Sequence, residues 1–142
     1  MSIKTDKEIQ GDFLAMVKAS PLAEAVNGSV YRASAASSNR PRDSKNEDIE
    51  VILPKGFTEQ VQKGVITILV YVPDIDPYDN GVLVEDGART AQLARVAQDW
   101  IDSCPEHGTG YTFDQQDTIE AIPYPEINQH AVSVQLHYEF YE

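Results

Sequence analysis

Of the 142 residues only one, Cys104, is a cysteine. No intrachain disulfide can form, so the fold must be held by its core alone, which suits a reducing compartment. No apolar run approaches the roughly 18 residues of a membrane span. The opening M-S-I-K-T-D-K-E-I-Q is too polar for a secretory signal. Both absences point to a cytosolic origin and no membrane partner. Basic residues are missing from the last third: none follows Arg95, so residues 96–142 carry nine acids and no base, against fourteen acids and eleven bases in residues 1–95. The net charge is −12. Such a surface repels phosphate and disfavours nucleic-acid binding through counterion release. It fits simple solubility, or a surface that lies beside a polyanion without adhering to it. Internal repeats, low-complexity tracts and phosphate-cradling glycine loops are also missing. Gly108-Thr109-Gly110 is a lone G-x-G that a turn explains.

What is present is enough for one domain spanning residues 1–142: 42% apolar and 24% charged residues place the chain in the globular range. Residues 6–19 read as an amphipathic helix, because Ile9, Phe13, Met16 and Val17 share one face. Thr5 and Glu8 stand at the spacing of a capping box. Ser20 and Pro21 open a second short helix through Val26, and Asn27-Gly28 closes it, both residues tolerating the left-handed conformation of a helix end. Ser29–Arg32 is a short strand, and Asp48–Leu53 alternates as another. Pro54-Lys55-Gly56 reads as a turn. Glu59–Val72 is the strongest strand signal of the first half. Its segment Val65–Val72 is apolar on both faces, so a helix on one side and a neighbouring subunit on the other are expected to cover it. Ala88–Cys104 is the second long helix, with Leu93, Val96, Ala97, Trp100, Ile101 and Cys104 on one stripe. Tyr111–Ile122 reads as one strand broken by Pro123-Tyr124-Pro125. His130–Tyr141 alternates cleanly, Val132, Val134, Leu136, Tyr138 and Phe140 facing the core. The order α(α)-β-β-β-α-β-β predicts an α+β fold, a mostly antiparallel four- to five-stranded sheet with helices on one face.

Candidate chemistry is sparse. Asp74–Gly87 is an acidic loop in which Asp74, Asp76 and Glu85 take the first, third and twelfth positions of a calcium loop. The sixth position, where glycine makes the sharp turn, is Asp79, and a strand rather than a helix precedes it. A plain acidic loop is the better reading. Cys104 and His107 place a thiol near an imidazole, but a structural zinc site needs four ligands. The remaining histidines, His130 and His137, fall on opposite faces of one strand. A Cys–His nucleophile needs an orienting group and an oxyanion donor, and neither is marked. Cys104 reads as the end of the helix stripe, Trp100 as core. No catalytic, cofactor-binding or metal residue is assigned.

The long polar segment Ala33–Glu47 is the exception to this plainness. Within it, Arg40-Pro-Arg-Asp-Ser-Lys-Asn46 is too polar to fold alone, yet a strand follows at once. Loops of this length are mobile or functional. An anchored, charged loop makes Arg40, Arg42, Asp43, Glu47 and Asp48 the candidate assembly interface, its arginines pairing with the acids either locally or across a subunit boundary, each such exposed pair being individually weak. Tyr141, on the outer face of the last strand, joins them.

Taken together, the order of pieces resembles the tail-terminator, or tail-completion, proteins of long-tailed bacteriophages and prophages. The likeness runs from about residue 9 onward: a helix ending at Ser20-Pro21, a first short strand at Gly28-Ser-Val-Tyr31, the charged run Arg40–Val51, a central strand Gly64–Val72, a packing helix Thr90–Ser103 and a closing strand His130–Tyr141. The resemblance implies a non-enzymatic virion protein without cofactor. It would form a ring, expected to be a hexamer, that caps the tail tube and meets the head connector while DNA passes through the lumen. It would reside in the host cytoplasm during assembly and then in the virion neck. A negative lumen would let DNA slide past. Another head–tail connector or tail-tube part, and a small hydrolase or metal-binding domain using Cys104 and His107, are the alternative readings.

Overall fold

A computed structural model describes residues 4–58, 62–103 and 110–140. Helix α1 spans Asp6–Lys18, and its start is locally determined. The Thr5 hydroxyl accepts from the Glu8 amide while the Glu8 carboxylate accepts from the Thr5 amide, so the capping box forms. Those bonds hold the exposed Glu8 carboxyl below the usual carboxylate range. Helix α2 is one short turn and a half, Pro21–Ala25. The Ser20 hydroxyl does not cap it but donates back to the Val17 carbonyl at 2.6 Å.

Six strands follow among the described residues: β1 Val30–Ala33, β2 Ile49–Thr58, β3 Gln62–Pro73, β4 Tyr111–Gln115, β5 Glu120–Tyr124 and β6 Gln129–Phe140, with α3, Gly87–Ser103, between β3 and β4. The sheet order is β1-β2-β3-β6-β4, and β5 also pairs with β6. The fold is α+β as expected, but the sheet has six strands and is mixed, because β1 runs parallel to β2. A parallel neighbour requires a crossover of a dozen or more residues. Residues 34–48 are that crossover, which accounts for the length of the polar segment.

Two other expectations are corrected by pairing. Pro54-Lys55-Gly56 is no turn; β2 continues through it, with a register shift between Ile52 and Lys55. A bulge tolerates the proline that a regular ladder would exclude. The segment 111–122 is two strands laid end to end along one edge of β6, β4 against residues 136–140 and β5 against residues 129–133. Between them the Gln116 amide donates to the Gln135 carbonyl. β5 includes Pro123 and Tyr124, and Pro125 opens a single 3-10 turn ending at Asn128, whose φ of 54° is left-handed.

The core lies between the helices and one sheet face. Ile9, Phe13 and Val17 of α1 and Leu93, Ala97, Trp100 and Ile101 of α3 meet Ile49, Val51, Ile66, Ile68, Val70, Val134, Leu136 and Tyr138. Phe13 sits at the centre, its ring 5.3–5.8 Å from those of Tyr111, Phe113 and Tyr138. Gln10, buried on α1, donates to the carbonyls of Ala33 and Val51 at 2.9 and 2.8 Å, closing the helix onto the sheet edge. No helix among the described residues is long and apolar enough to cross a membrane.

Candidate assembly surface

The opposite sheet face decides the fate of the charged crossover. Leu69, Tyr71 and Ala131 form a second, smaller apolar cluster there, flanked by Ile52, Tyr124 and Ile127. The crossover folds back over it. The Arg40 guanidinium lies 4.0 Å above the Tyr71 ring. Its Nε donates to Asp48 at 2.9 Å, and Nη2 reaches the Gln129 side chain and the carbonyls of Ser44 and Asn46. The Arg40 and Asp48 side chains are only 6% and 1% exposed. Asp48 also accepts from the Ser29 amide and the Ser44 hydroxyl. Below them Glu50, buried, accepts from the Tyr71 hydroxyl at 2.8 Å and from Ser38. Burial, and then that bond, raises the Tyr71 phenol well above its ordinary value. The second face of β3 is therefore covered at this end by the chain's own crossover and by the turn after β5. A neighbouring subunit is not needed for it.

Glu47 is engaged elsewhere. Its carboxylate takes two bonds from Arg89 of α3, at 2.6 and 2.8 Å, and the same guanidinium donates to the Ala25 carbonyl at the end of α2. The Glu47 amide is held by the Asn27 side chain. Gly28 does not take the left-handed conformation expected of it. It is glycine because a Cβ would fall 2.2 Å from Asp48 Oδ1 and 2.5 Å from the Glu47 carbonyl oxygen.

Of the candidate interface, then, Arg40 and Asp48 are brought together and buried, and Glu47 is paired with Arg89. The expectation of exposure is corrected for these three. Arg40 and Asp48 pair locally, eight residues apart, whereas Glu47 meets Arg89 from 42 residues away. Arg42 and Asp43 are exposed, as expected. Tyr141, Cys104 and His107 lie outside the described residues. Tyr71, Arg89, Gln129 and Asn27 were not anticipated; no local pattern marks them, since each acts across elements.

The loop between β3 and α3 holds what composition concealed. Ile75 and Val84 exchange backbone hydrogen bonds, both at 2.9 Å, so residues 74–86 form a closed arm. Asp76 accepts from the Asn80 and Gly81 amides at 3.0 and 2.8 Å, and Asp79 and Gly81 supply the positive φ of the turn. At the base, Asp74 bonds His130 at 2.7 Å, Glu85 accepts from Thr90, and Asp86 accepts from the Arg89 amide at the start of α3. The carboxylates once aligned with a calcium loop are thus committed separately, and no cluster of three metal-binding side chains exists among the described residues. On this arm stand Ile75, Tyr78, Val82, Leu83 and Val84, the large hydrophobic residues exposed among those whose side chains are described. Tyr78 is 83% and Val82 57% exposed. The signal V-L-V at 82–84 was present in the sequence, hidden among Asp, Gly and Pro. No protein-family model matches the chain, and no characterised protein matches it at significance.

Proposed function

We propose that this chain is a non-enzymatic assembly subunit of the tail-terminator kind its sequence resembles. It forms a ring that caps the tail tube and meets the head connector around the path of DNA. The observation that carries this reading is the arm. Single exposed apolar side chains are ordinary, but a contiguous group marks a surface that meets another protein. Here the group is confined to one short segment whose turn and base are hydrogen-bonded throughout. Such a segment has paid its ordering entropy in advance, which favours binding. The acidic balance adds a second support. A negative lumen admits DNA without holding it.

Negative-stain electron microscopy of the purified chain at high concentration tests the reading. Rings with an open centre are expected. A field of separate small particles under the same conditions contradicts it.

A further inference from the structure

The arm is acidic as well as apolar: residues 74–86 hold Asp74, Asp76, Asp79, Glu85 and Asp86 and no base. Another part of the surface is its complement. Where α1 meets β1 and the start of the crossover, a groove of about 260 Å³ is lined by Lys7, Arg32, Ser34, Ser37, Asn39 and Leu53, among others, with no carboxylate in its wall. The groove is shaped locally. The Ser34 amide bonds the Ser37 carbonyl and the Asn39 amide bonds the Arg32 carbonyl, which folds the crossover's first turn against β1. Lys7 is exposed, and neither its ammonium nor the Arg32 guanidinium has a carboxylate partner among the described residues.

We infer that the arm of one copy seats in the Lys7–Arg32 groove of the next copy. The inference rests on the ring reading and names its interface. Charge chooses the occupant: two cations without carboxylate partners and a row of hydroxyls face an arm tipped by Asp79, while Leu53 offers an apolar contact for Val82 or Leu83. Arm-to-arm pairing is disfavoured, because it sets acids against acids with no base between them. Arm and groove are different surfaces of one chain, so the contact is heterologous. Repeating it closes a ring when the rotation permits. An isologous contact would stop at a dimer.

The test uses two variants at exposed positions, Tyr78→Ser with Leu83→Ser on the arm and Lys7→Glu with Arg32→Ser in the groove. Circular dichroism and melting establish that each is folded, and Lys7→Ala and Leu83→Ser alone serve if a double variant is not. Sedimentation velocity reads the assembly. Each variant alone should need at least about tenfold more protein for half-assembly, equivalent to about 1.4 kcal/mol. An equimolar mixture should yield mixed dimers and nothing larger, since only one intact arm and one intact groove remain to meet. If the native chain forms rings and both folded variants do so equally well, this interface is wrong and the ring reading survives. If the folded variants fail alone and the mixture also yields no dimer, the arm and groove do not meet. A native chain that never associates overturns both readings.

Discussion

Arg40→Ala is expected to damage folding rather than assembly. The side chain sits over Tyr71 and holds Asp48, whose carboxylate is 1% exposed. Removing the guanidinium leaves that carboxylate with only the Ser29 amide and Ser44 hydroxyl. It also strips donors from the Ser44 and Asn46 carbonyls and the Gln129 amide oxygen. Breaking a buried pair by deleting one partner costs about 3–5 kcal/mol. Against a total of about 5–15 kcal/mol for a domain, that is a large fraction, and it lowers Tm by about 10 °C or more. Arg40→Lys keeps the charge but not the planar fork, so an intermediate loss of about 1–2 kcal/mol is expected. Arg42→Ala, two residues on and exposed, should stay within about 0.5 kcal/mol. Urea unfolding followed by circular dichroism measures all three, and a double-mutant cycle with Asp48→Asn should return a coupling of about 2 kcal/mol. If Arg40→Ala costs no more than Arg42→Ala, the crossover is not fastened by this pair and the reasoning fails.

Gly28→Ala should destabilise by about 2–4 kcal/mol, because its Cβ meets Asp48 and the Glu47 carbonyl at distances that force a shift of the crossover; a melting temperature equal to the native one would refute the steric account. Stability should fall as pH rises past about 10, the ordinary tyrosine value. Burial, aided by bonds to Glu50 and Asp12, raises the phenols of Tyr71 and Tyr111 in the folded chain. The unfolded chain therefore ionises first, and the advantage held below that pH is lost above it. Tyr71→Phe and Tyr111→Phe should flatten the alkaline slope of unfolding free energy; an unchanged slope in both would count against the assignment.

How much of this was legible depended on the range over which each feature is decided. The α1 and α3 stripes and the alternation of β6 were readable because a buried face repeats within one element. The capping box was readable because Thr5 and Glu8 are three apart. Pro54-Lys55-Gly56 misled because turns and bulges draw on the same residues, and only the ladder with β3 separates them. The single strand at 111–122 became two because β6 is long enough to receive both on one edge. The polar crossover is only partly legible residue by residue: its composition is that of an exposed loop, which holds for Arg42 and Asp43, but Arg40 is buried by Tyr71 and Gln129, far along the chain. Conversely, the loop at 74–87 reads as plainly acidic because Ile75, Tyr78 and the run Val82–Val84 stand among turn formers and acids. Their grouping emerges only when Ile75 pairs with Val84.

Whether copies of this chain close into a ring is read from multi-angle light scattering of the native chain across a wide concentration range. A discrete assembly is expected at a fixed multiple of the 15.8 kDa chain, the mass of a closed ring, shifting toward the single chain when Tyr78 and Leu83 are replaced by serine. A native mass that stays at 15.8 kDa at every concentration would contradict it.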